Sequence, residues 1–220
     1  MAHAQEKQAL FGLQYKPIVP VAYFDAANIS AEWDNFQFNI SPRYSYSLGM
    51  VVRRGLNKTF SLETGINYID RNYRLTTNNS TINLDDFTDF SIRSYEIPYL
   101  ILTNVRVSNN IYLNVAFGIS HNIFASDVYS EGEIDYKFIQ NTLRRKRIQM
   151  AVLANMGAEF RTEKDGIFYI GTSLHRPCDE VVRIYPEYDD FNESAPSLDA
   201  HYLEVLGNFV TIDFRYFFHD

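Results

Sequence analysis

The sequence has a single cysteine, Cys178, so no disulfide forms within the chain. It has no run of about eighteen apolar residues, which excludes a transmembrane helix. Basic residues are also few: 20 Lys and Arg stand against 27 Asp and Glu, for a net charge of −7. This acidic balance argues against binding to nucleic acid. At 220 residues, the chain is expected to form one domain.

Apolar and aromatic residues are plentiful, at 46% and 15% of the chain, which excludes a disordered polyelectrolyte. They alternate with polar residues at a period of two, and almost nothing repeats at the helical period of 3.6. Alternation of this kind predicts β-strands with one apolar and one polar face. Eight segments show it: 10–19, 43–53, 59–70, 94–106, 111–125, 147–161, 167–176 and 207–218.

The connections between these segments alternate strictly between short and long. Short turns follow strands 2, 4 and 6, and long loops span 20–42, 71–93, 126–146 and 177–206. Up-and-down antiparallel strands place all short turns at one rim, together with both termini. The sequence therefore predicts an all-β fold: an eight-stranded antiparallel up-and-down transmembrane β-barrel over 10–218, after an N-terminal tail over 1–9. Within the tail, Ala2-His3-Ala4 fits a signal-peptidase site, but no basic and apolar regions precede it, and a disordered tail fits as well.

The two faces of the predicted strands differ in charge and size. One face carries no charge at its central positions, as a lipid-facing surface requires, and has tyrosines near the strand ends. A soluble lipocalin-like barrel has the opposite polarity and would place many glycines and ionisable groups outside. We therefore expect the charged face to fill a closed lumen with ion pairs. The predicted lumen network consists of Lys16, Glu63, Glu96, Arg106, Glu159, Arg161, Asp213 and Arg215.

Four segments resemble the small outer-membrane β-barrel family of the Bacteroidota, often labelled porin-like or PorT-like. They are Phe11 to Pro17, Leu62 to Tyr68, Tyr95 to Tyr99 and Phe209 to Phe218. The resemblance implies an integral protein of the bacterial outer membrane with periplasmic termini. It also implies that the closing aromatic strand is the signal read by the barrel-assembly machinery, although His219 and Asp220 follow that strand here. The residues of this predicted assembly signal are Gly207, Phe214, Tyr216 and Phe218.

The histidines offer little for catalysis. His121 falls on the lipid-facing side of its strand and the adjacent Ser120 on the lumen side, so the two point apart. His175 lies near the end of strand 7. No histidine makes metal-ligand spacing with Cys178, and no phosphate-binding loop, nucleophile elbow or zinc motif is present. We expect no catalytic residue, cofactor site or metal site.

Two predicted loops carry candidate contact residues. The third long loop ends in four cations that suit lipopolysaccharide phosphates, or are simply solvated: Arg144, Arg145, Lys146 and Arg147. The fourth, 177–206, has eight acids against one base. Aromatic residues are enriched in protein interfaces, so this loop is a candidate partner surface, although a solvated loop fits as well. Its candidate contact residues are Tyr185, Tyr188, Phe191 and Tyr202.

The leading functional hypothesis is a non-enzymatic barrel whose loops contact other outer-membrane proteins, as an accessory subunit of an assembly for protein insertion, secretion or uptake. Its expected surroundings are outer-membrane lipid and lipopolysaccharide, with no nucleic acid. The alternatives are an enzyme that modifies lipid A and a narrow passive pore.

Overall fold

The fold consists of β-strands joined by turns and links. The computed structural model describes residues 9–20, 28–33, 35–57, 59–134, 137–162, 164–188 and 201–218. No helix in these ranges is long and apolar enough to cross a membrane. The strands within them are β1 Ala9–Val19, β2 Ile29–Trp33, β3 Phe36–Pro42, β4 Ser45–Gly55, β5 Phe60–Asn79, β6 Leu84–Arg106, β7 Ile111–Phe124, β8 Val128–Glu131, β9 Phe138–Arg144, β10 Ile148–Arg161, β11 Ile167–Pro177, β12 Val182–Tyr188, β13 Leu203–Val205 and β14 Phe209–Phe217.

Eight long strands pair with one another in a ring. β1 pairs antiparallel with both β4 and β14. The pairing continues from β4 through β5, β6, β7, β10 and β11 to β14, again antiparallel at every step. These strands correspond to the eight predicted segments, and the antiparallel all-β prediction is confirmed. The predicted tail over 1–9 lies outside the described residues except for Ala9, which begins β1.

The outward face of the ring is apolar and the inward face is polar. Large hydrophobic side chains such as Leu13, Ile101 and Val115 are exposed, while Gln14, Glu63 and others with the opposite parity are buried. This is the reverse of a water-soluble protein, and it matches strands that face hydrocarbon on the outside.

Tyrosines form a continuous belt around part of this outer face. The ring centroids of Tyr15 and Tyr46 are 6.3 Å apart, those of Tyr46 and Tyr68 6.5 Å, and those of Tyr68 and Tyr95 5.8 Å. The belt therefore crosses four ring strands, β1, β4, β5 and β6. Amphipathic rings at such a level are typical of a membrane–water interface.

The prediction of a second long loop over 71–93 is wrong. Most of it is strand, because β5 and β6 stay paired as far as Asn79 and Leu84 and are joined by a short turn at 80–83. Beyond the tyrosine belt the outward side chains are polar, as in the exposed pair Arg74 and Asp89. Without an apolar outward face, this segment lacked the alternation that marked the ring strands.

The extensions of β5 and β6 belong to a second layered structure, which we call the cap. One cap sheet consists of β2, β3 and these extensions, residues 71–79 and 84–93. The other is a separate four-stranded sheet in the order β13-β12-β9-β8. The long connections predicted as loops thus contain six short strands in addition to the two extensions.

A hydrophobic core joins the two cap sheets. Phe38 of one sheet stacks on Phe138 of the other, with ring centroids 6.4 Å apart. The buried core residues are Phe38, Ile40, Leu75, Phe90, Ile92, Phe124, Phe138, Val181, Val182, Ile184, Leu203 and Val205. The cap is therefore apolar inside and polar outside, opposite to the ring from which it extends.

Phe138 tests whether this core holds the cap together. It is fully buried, so we expect Phe138→Ala to destabilise the cap by about 3–5 kcal/mol. Hydrogen exchange of β9 and β12 peptides should rise sharply while that of the ring strands stays slow. Leu143→Ala on the exposed face of the same strand is the control, since Leu143 is 45% exposed. Equal exchange in the two variants would show that the sheets do not depend on this contact.

Candidate functional site

The interior of the ring contains a network of ion pairs. Arg53 on β4 donates to Glu63 on β5, with Nη2 and Oε2 2.9 Å apart, and also pairs with Glu159 on β10. Arg215 on β14 pairs with Asp213, with Nη2 and Oδ2 2.7 Å apart, and with Glu63. All five side chains are buried. The network therefore ties together four strands from different sides of the ring.

Asp213 is the most heavily bonded acid in the interior. Besides Arg215, its carboxylate pairs with Lys16 at 3.6 Å and accepts hydrogen bonds from Ser173 at 2.6 Å, Asn155 at 3.1 Å and Thr211. This many donors hold the carboxylate of Asp213 in one position. It anchors β14, the last strand of the chain, to the neighbouring strands β1 and β11.

A second cluster of polar side chains inside the ring lies nearer to the cap. The Nε2 of His175 is 3.0 Å from Oε1 of Glu96, and Asn67 donates to Oε2 of the same carboxylate at 2.9 Å. The imidazole of His175 stacks on Phe209, with ring centroids 4.3 Å apart. His175 is 3% exposed, so this pair is sealed from solvent.

The structure brings together most of the predicted lumen network. Lys16, Glu63, Glu96, Glu159, Asp213 and Arg215 are buried as expected. Arg161 is half-exposed and bonds to Glu159, with Nη2 and Oε2 2.9 Å apart. The placement of Arg106 needs correction: it is exposed at the short-turn end of β6 and donates to Ser108 and Asn109. Near the end of a strand, inward parity no longer guarantees burial.

Sequence reasoning missed Arg53 and His175 as members of the network. Arg53 was the last residue of a predicted strand and had inward parity, so continuing the alternation by one step would have found it. His175 also has inward parity on β11. Its sequence position alone does not predict an ion pair with Glu96, which lies 79 positions earlier.

Charged side chains leave little space in the part of the interior around Lys16 and His175. The void between Lys16, Glu63, Glu96 and His175 measures about 20 Å³, which is room for roughly one water molecule. Gly157 and Gly171 lie opposite each other on β10 and β11, and a Cβ at either position would collide with the phenol of Tyr169. These glycines therefore make room for the ring that stacks beneath Arg215.

Most of the four cationic side chains predicted to contact lipopolysaccharide form ion pairs with carboxylates of the protein. Arg144 pairs with Asp127 at 3.6 Å, Lys146 with Asp179 at 2.7 Å, and Arg145 with Glu180. The hydrogen bond from Lys146 holds the pKa of Asp179 below its usual range. Arg147 is exposed and, among the described residues, has no carboxylate partner.

The predicted partner residues fall on different parts of the cap. Tyr185 and Tyr202 lie side by side on the four-stranded cap sheet, with ring centroids 5.7 Å apart, and Arg183 stacks on Tyr202 at 4.5 Å. Tyr188 ends β12. Phe191 lies outside the described residues. Tyr129, which the sequence did not single out, is 56% exposed and joins the same face.

The four residues of the predicted assembly signal do not all lie on the last strand. Phe214 and Tyr216 face outward on β14, and Phe218 follows it. Gly207 lies before β14, not on it, with a φ of 70° and its carbonyl accepting a hydrogen bond from Arg71 at 3.1 Å. Whether these residues direct assembly stays a prediction.

Among the described residues, Ser120 and His121 do not form a pair. Ser120 is fully buried in the ring, whereas His121 is on the outer face, where its ring meets Tyr99 edge-on at 5.8 Å. In the part of the chain that the structure describes, no group of three or more His, Cys, Asp or Glu side chains could hold a metal ion.

The closed pairing of strands, the apolar outer wall and the charged interior together are typical of a membrane barrel. Residues 12–175 match a family model described as outer membrane protein beta-barrel domain. The chain belongs to this family. It is accordingly an integral protein of the bacterial outer membrane with the all-β fold of an outer-membrane barrel.

Two solved structures are similar to this outer-membrane protein. The outer membrane protein OprG from Pseudomonas aeruginosa is 10% identical in sequence, covers 98% of both chains and gives a TM-score of 0.56, a likeness of fold alone. The outer membrane protease OmpT from Escherichia coli is 11% identical over 96% of both chains, with a TM-score of 0.39, too low to bear on function. No curated protein matches the chain in sequence.

Arg53 tests the importance of the interior network. Arg53→Met would leave Glu63 and Glu159 buried with fewer compensating charges, so we expect a loss of about 3–5 kcal/mol in the free energy of unfolding. Urea titration of the barrel in detergent micelles measures it. The control is Arg54→Met, the exposed neighbouring residue, with an expected change within about 0.5 kcal/mol. Comparable stability of both variants would contradict a structural role for the ion pairs.

Proposed function

We propose that this outer-membrane protein is a single eight-stranded transmembrane barrel whose termini are periplasmic and whose cap is extracellular. The ring of antiparallel pairs, the apolar outer wall and the tyrosine belt support this arrangement. Short turns on the side of the termini and long connections on the other are the usual polarity of such barrels. The motifs quoted above favour the porin-like or PorT-like branch found in the Bacteroidota.

We further propose that the barrel is neither a pore nor an enzyme and acts through its cap. The observation that carries this proposal is the filled interior: ion pairs such as Arg53 with Glu159 cross the ring. An eight-stranded barrel has little space beyond that needed by its own side chains. The cap core adds a second apolar layer at one mouth of the ring. A folded cap presents a shaped surface, which favours contact with other proteins over transport.

The four-stranded cap sheet, β13-β12-β9-β8, provides the proposed contact face. Tyr129 pairs in register with Asn141, and Asn141 pairs with Tyr185, whose ring touches Tyr202. A single row of aromatic and amide side chains therefore runs across β8, β9 and β12 to Tyr202, with Tyr129 and Tyr202 exposed and Asn141 and Tyr185 half-buried. Tyrosines are enriched at protein interfaces because they combine a large apolar surface with a polar end. On this basis we propose an accessory subunit of a larger outer-membrane assembly for insertion, secretion or uptake.

The contact face is tested by extraction of the native protein in mild detergent, size separation and mass spectrometry. The protein should migrate with a larger barrel, and the double variant Tyr129→Ser with Tyr202→Ser should lose most of that association. Ile82→Ser, an equally exposed apolar residue at the tip of the β5–β6 turn, should retain it. Migration of the wild type alone would contradict the accessory role, and assay of lipid A after His121→Ala would then address the enzyme alternative.

The closed interior is tested separately in planar bilayers. We expect no stable conductance of porin size from the purified protein, because charged side chains and the cap obstruct the ring. Glu63→Ala combined with Arg215→Ala should raise conductance if the variant folds, since both side chains cross the interior. A porin-sized conductance of the unaltered protein would refute the closed-interior proposal.

A further inference from the structure

Arg71 is a buried cation at the junction of ring and cap. It lies on β5 just beyond the tyrosine belt, and its side chain points inward with 3% exposed. Its guanidinium donates from Nη1 to the carbonyl of Gly207 at 3.1 Å, and its Nε has no hydrogen-bond partner. Burial of a guanidinium is unfavourable unless a negative charge compensates it.

No described carboxylate forms an ion pair with Arg71, and the charge of Glu96 acts on its guanidinium only from beyond ion-pair distance. Each buried acid of the ring is bonded to another group: Glu63 to Arg53 and Arg215, Asp213 to Lys16 and Arg215, Glu159 to Arg53 and Arg161, and Glu96 to His175 and Asn67. The guanidinium instead lies among aromatic rings, 5.5 Å from the centroid of Phe124 and 5.7 Å from that of Phe209. These rings offer weak stabilisation compared with a full charge.

A small void lies beside this unpaired cation. It measures about 30 Å³ and is lined by Arg71, Arg43, Ser45, Gly207 and Asn208, with an apolar remainder that includes Ile18 and Ile40. That is room for roughly one or two water-sized particles. A monatomic anion fits this space.

We propose that a chloride ion occupies this void and neutralises Arg71. A water molecule would satisfy the hydrogen bond of Nε but would leave the charge of the guanidinium uncompensated. Chloride supplies both the acceptor and the negative charge. The second cation, Arg43, lies on the lining of the same void and adds to its attraction for an anion.

The bound anion links the cap to the ring. Arg71 is held by the carbonyl of Gly207, which stands between the cap strand β13 and the ring strand β14. Gly207 has a φ of 70°, and a Cβ there would lie 2.7 Å from Nη1 of Arg71 and 2.6 Å from Cγ2 of Val181. The site therefore requires glycine for its conformation and for its space, and an ordered anion beside it keeps the guanidinium in position.

Bromide is the probe for the site, because it replaces chloride and scatters anomalously. Crystals of the full-length protein grown in sodium bromide should show an anomalous peak within hydrogen-bond distance of the Arg71 guanidinium. A map with water alone at this place, or no peak there while bromide is seen elsewhere, overturns the proposal. This measurement needs no variant, so it decides the question even if substitutions at Arg71 prevent folding.

Stability gives an independent measurement. A ligand that binds only the folded state raises its midpoint of unfolding with concentration. In detergent, we expect the thermal midpoint to rise by a few degrees when sodium gluconate is exchanged for sodium chloride at constant ionic strength. Arg71→Met should abolish this difference, whereas Arg74→Met, an outward-facing cation on the same strand, should keep it. A chloride effect that persists in Arg71→Met, or is absent from the wild type, contradicts the proposed site.

Discussion

Two ion pairs reach across the ring and do not join neighbouring strands: Arg53 of β4 with Glu159 of β10, and Arg215 of β14 with Glu63 of β5. The rest of the structure depends on them. An eight-stranded ring is wide enough only for side chains, so the charges that its inward face presents must neutralise one another inside it. Long arginines cross the space, and small residues such as Gly157 and Gly171 leave room for the rings packed beside them. The same constraint underlies the proposal of a closed interior.

A reversal of polarity along β5 and β6 separates the ring from the cap. Below the tyrosine belt these strands are apolar outside, whereas above it Leu75, Phe90 and Ile92 turn the apolar side chains inward. The physical cause is the change of surroundings from hydrocarbon to water, while the backbone pairing continues without interruption. Because two strands run unbroken from one part to the other, the ring fixes the direction in which the cap extends. A surface held in this way is compatible with the membrane-embedded partner that we propose.

The alternation of side chains predicted the eight ring strands to within a few residues at most ends, because the membrane demands an apolar outer face at every second position. It failed for the cap, whose strands are three to seven residues long outside the β5 and β6 extensions and have one solvated face. The pairing of Lys146 with Asp179 and of Arg145 with Glu180 joins two connections that are distant in sequence. The sequence shows both the four cations at 144–147 and the acidic stretch at 177–206. It does not show that the two segments lie together and form ion pairs with each other. Arg71 was overlooked for the related reason that it fell within a segment interpreted as a loop.

The geometry of the histidines bears on the choice between an enzyme and a binding protein. A general base must lie within hydrogen-bond reach of the group it activates, and a His with a carboxylate behind it is the usual orienting pair. His175 and Glu96 form such a pair, yet the imidazole stacks on Phe209, its contact with Asn122 uses the same Nε2, and no hydroxyl among the described residues bonds to it. Both groups are buried below the cap core, where a lipid or peptide substrate has no space. His121 is accessible from the membrane but has Tyr99 as its ring contact and Ser120 on the opposite face. This acid–base pair is thus enclosed, and the described contacts of His121 include no hydroxyl or carboxylate, which favours the proposed role of the cap over an enzyme.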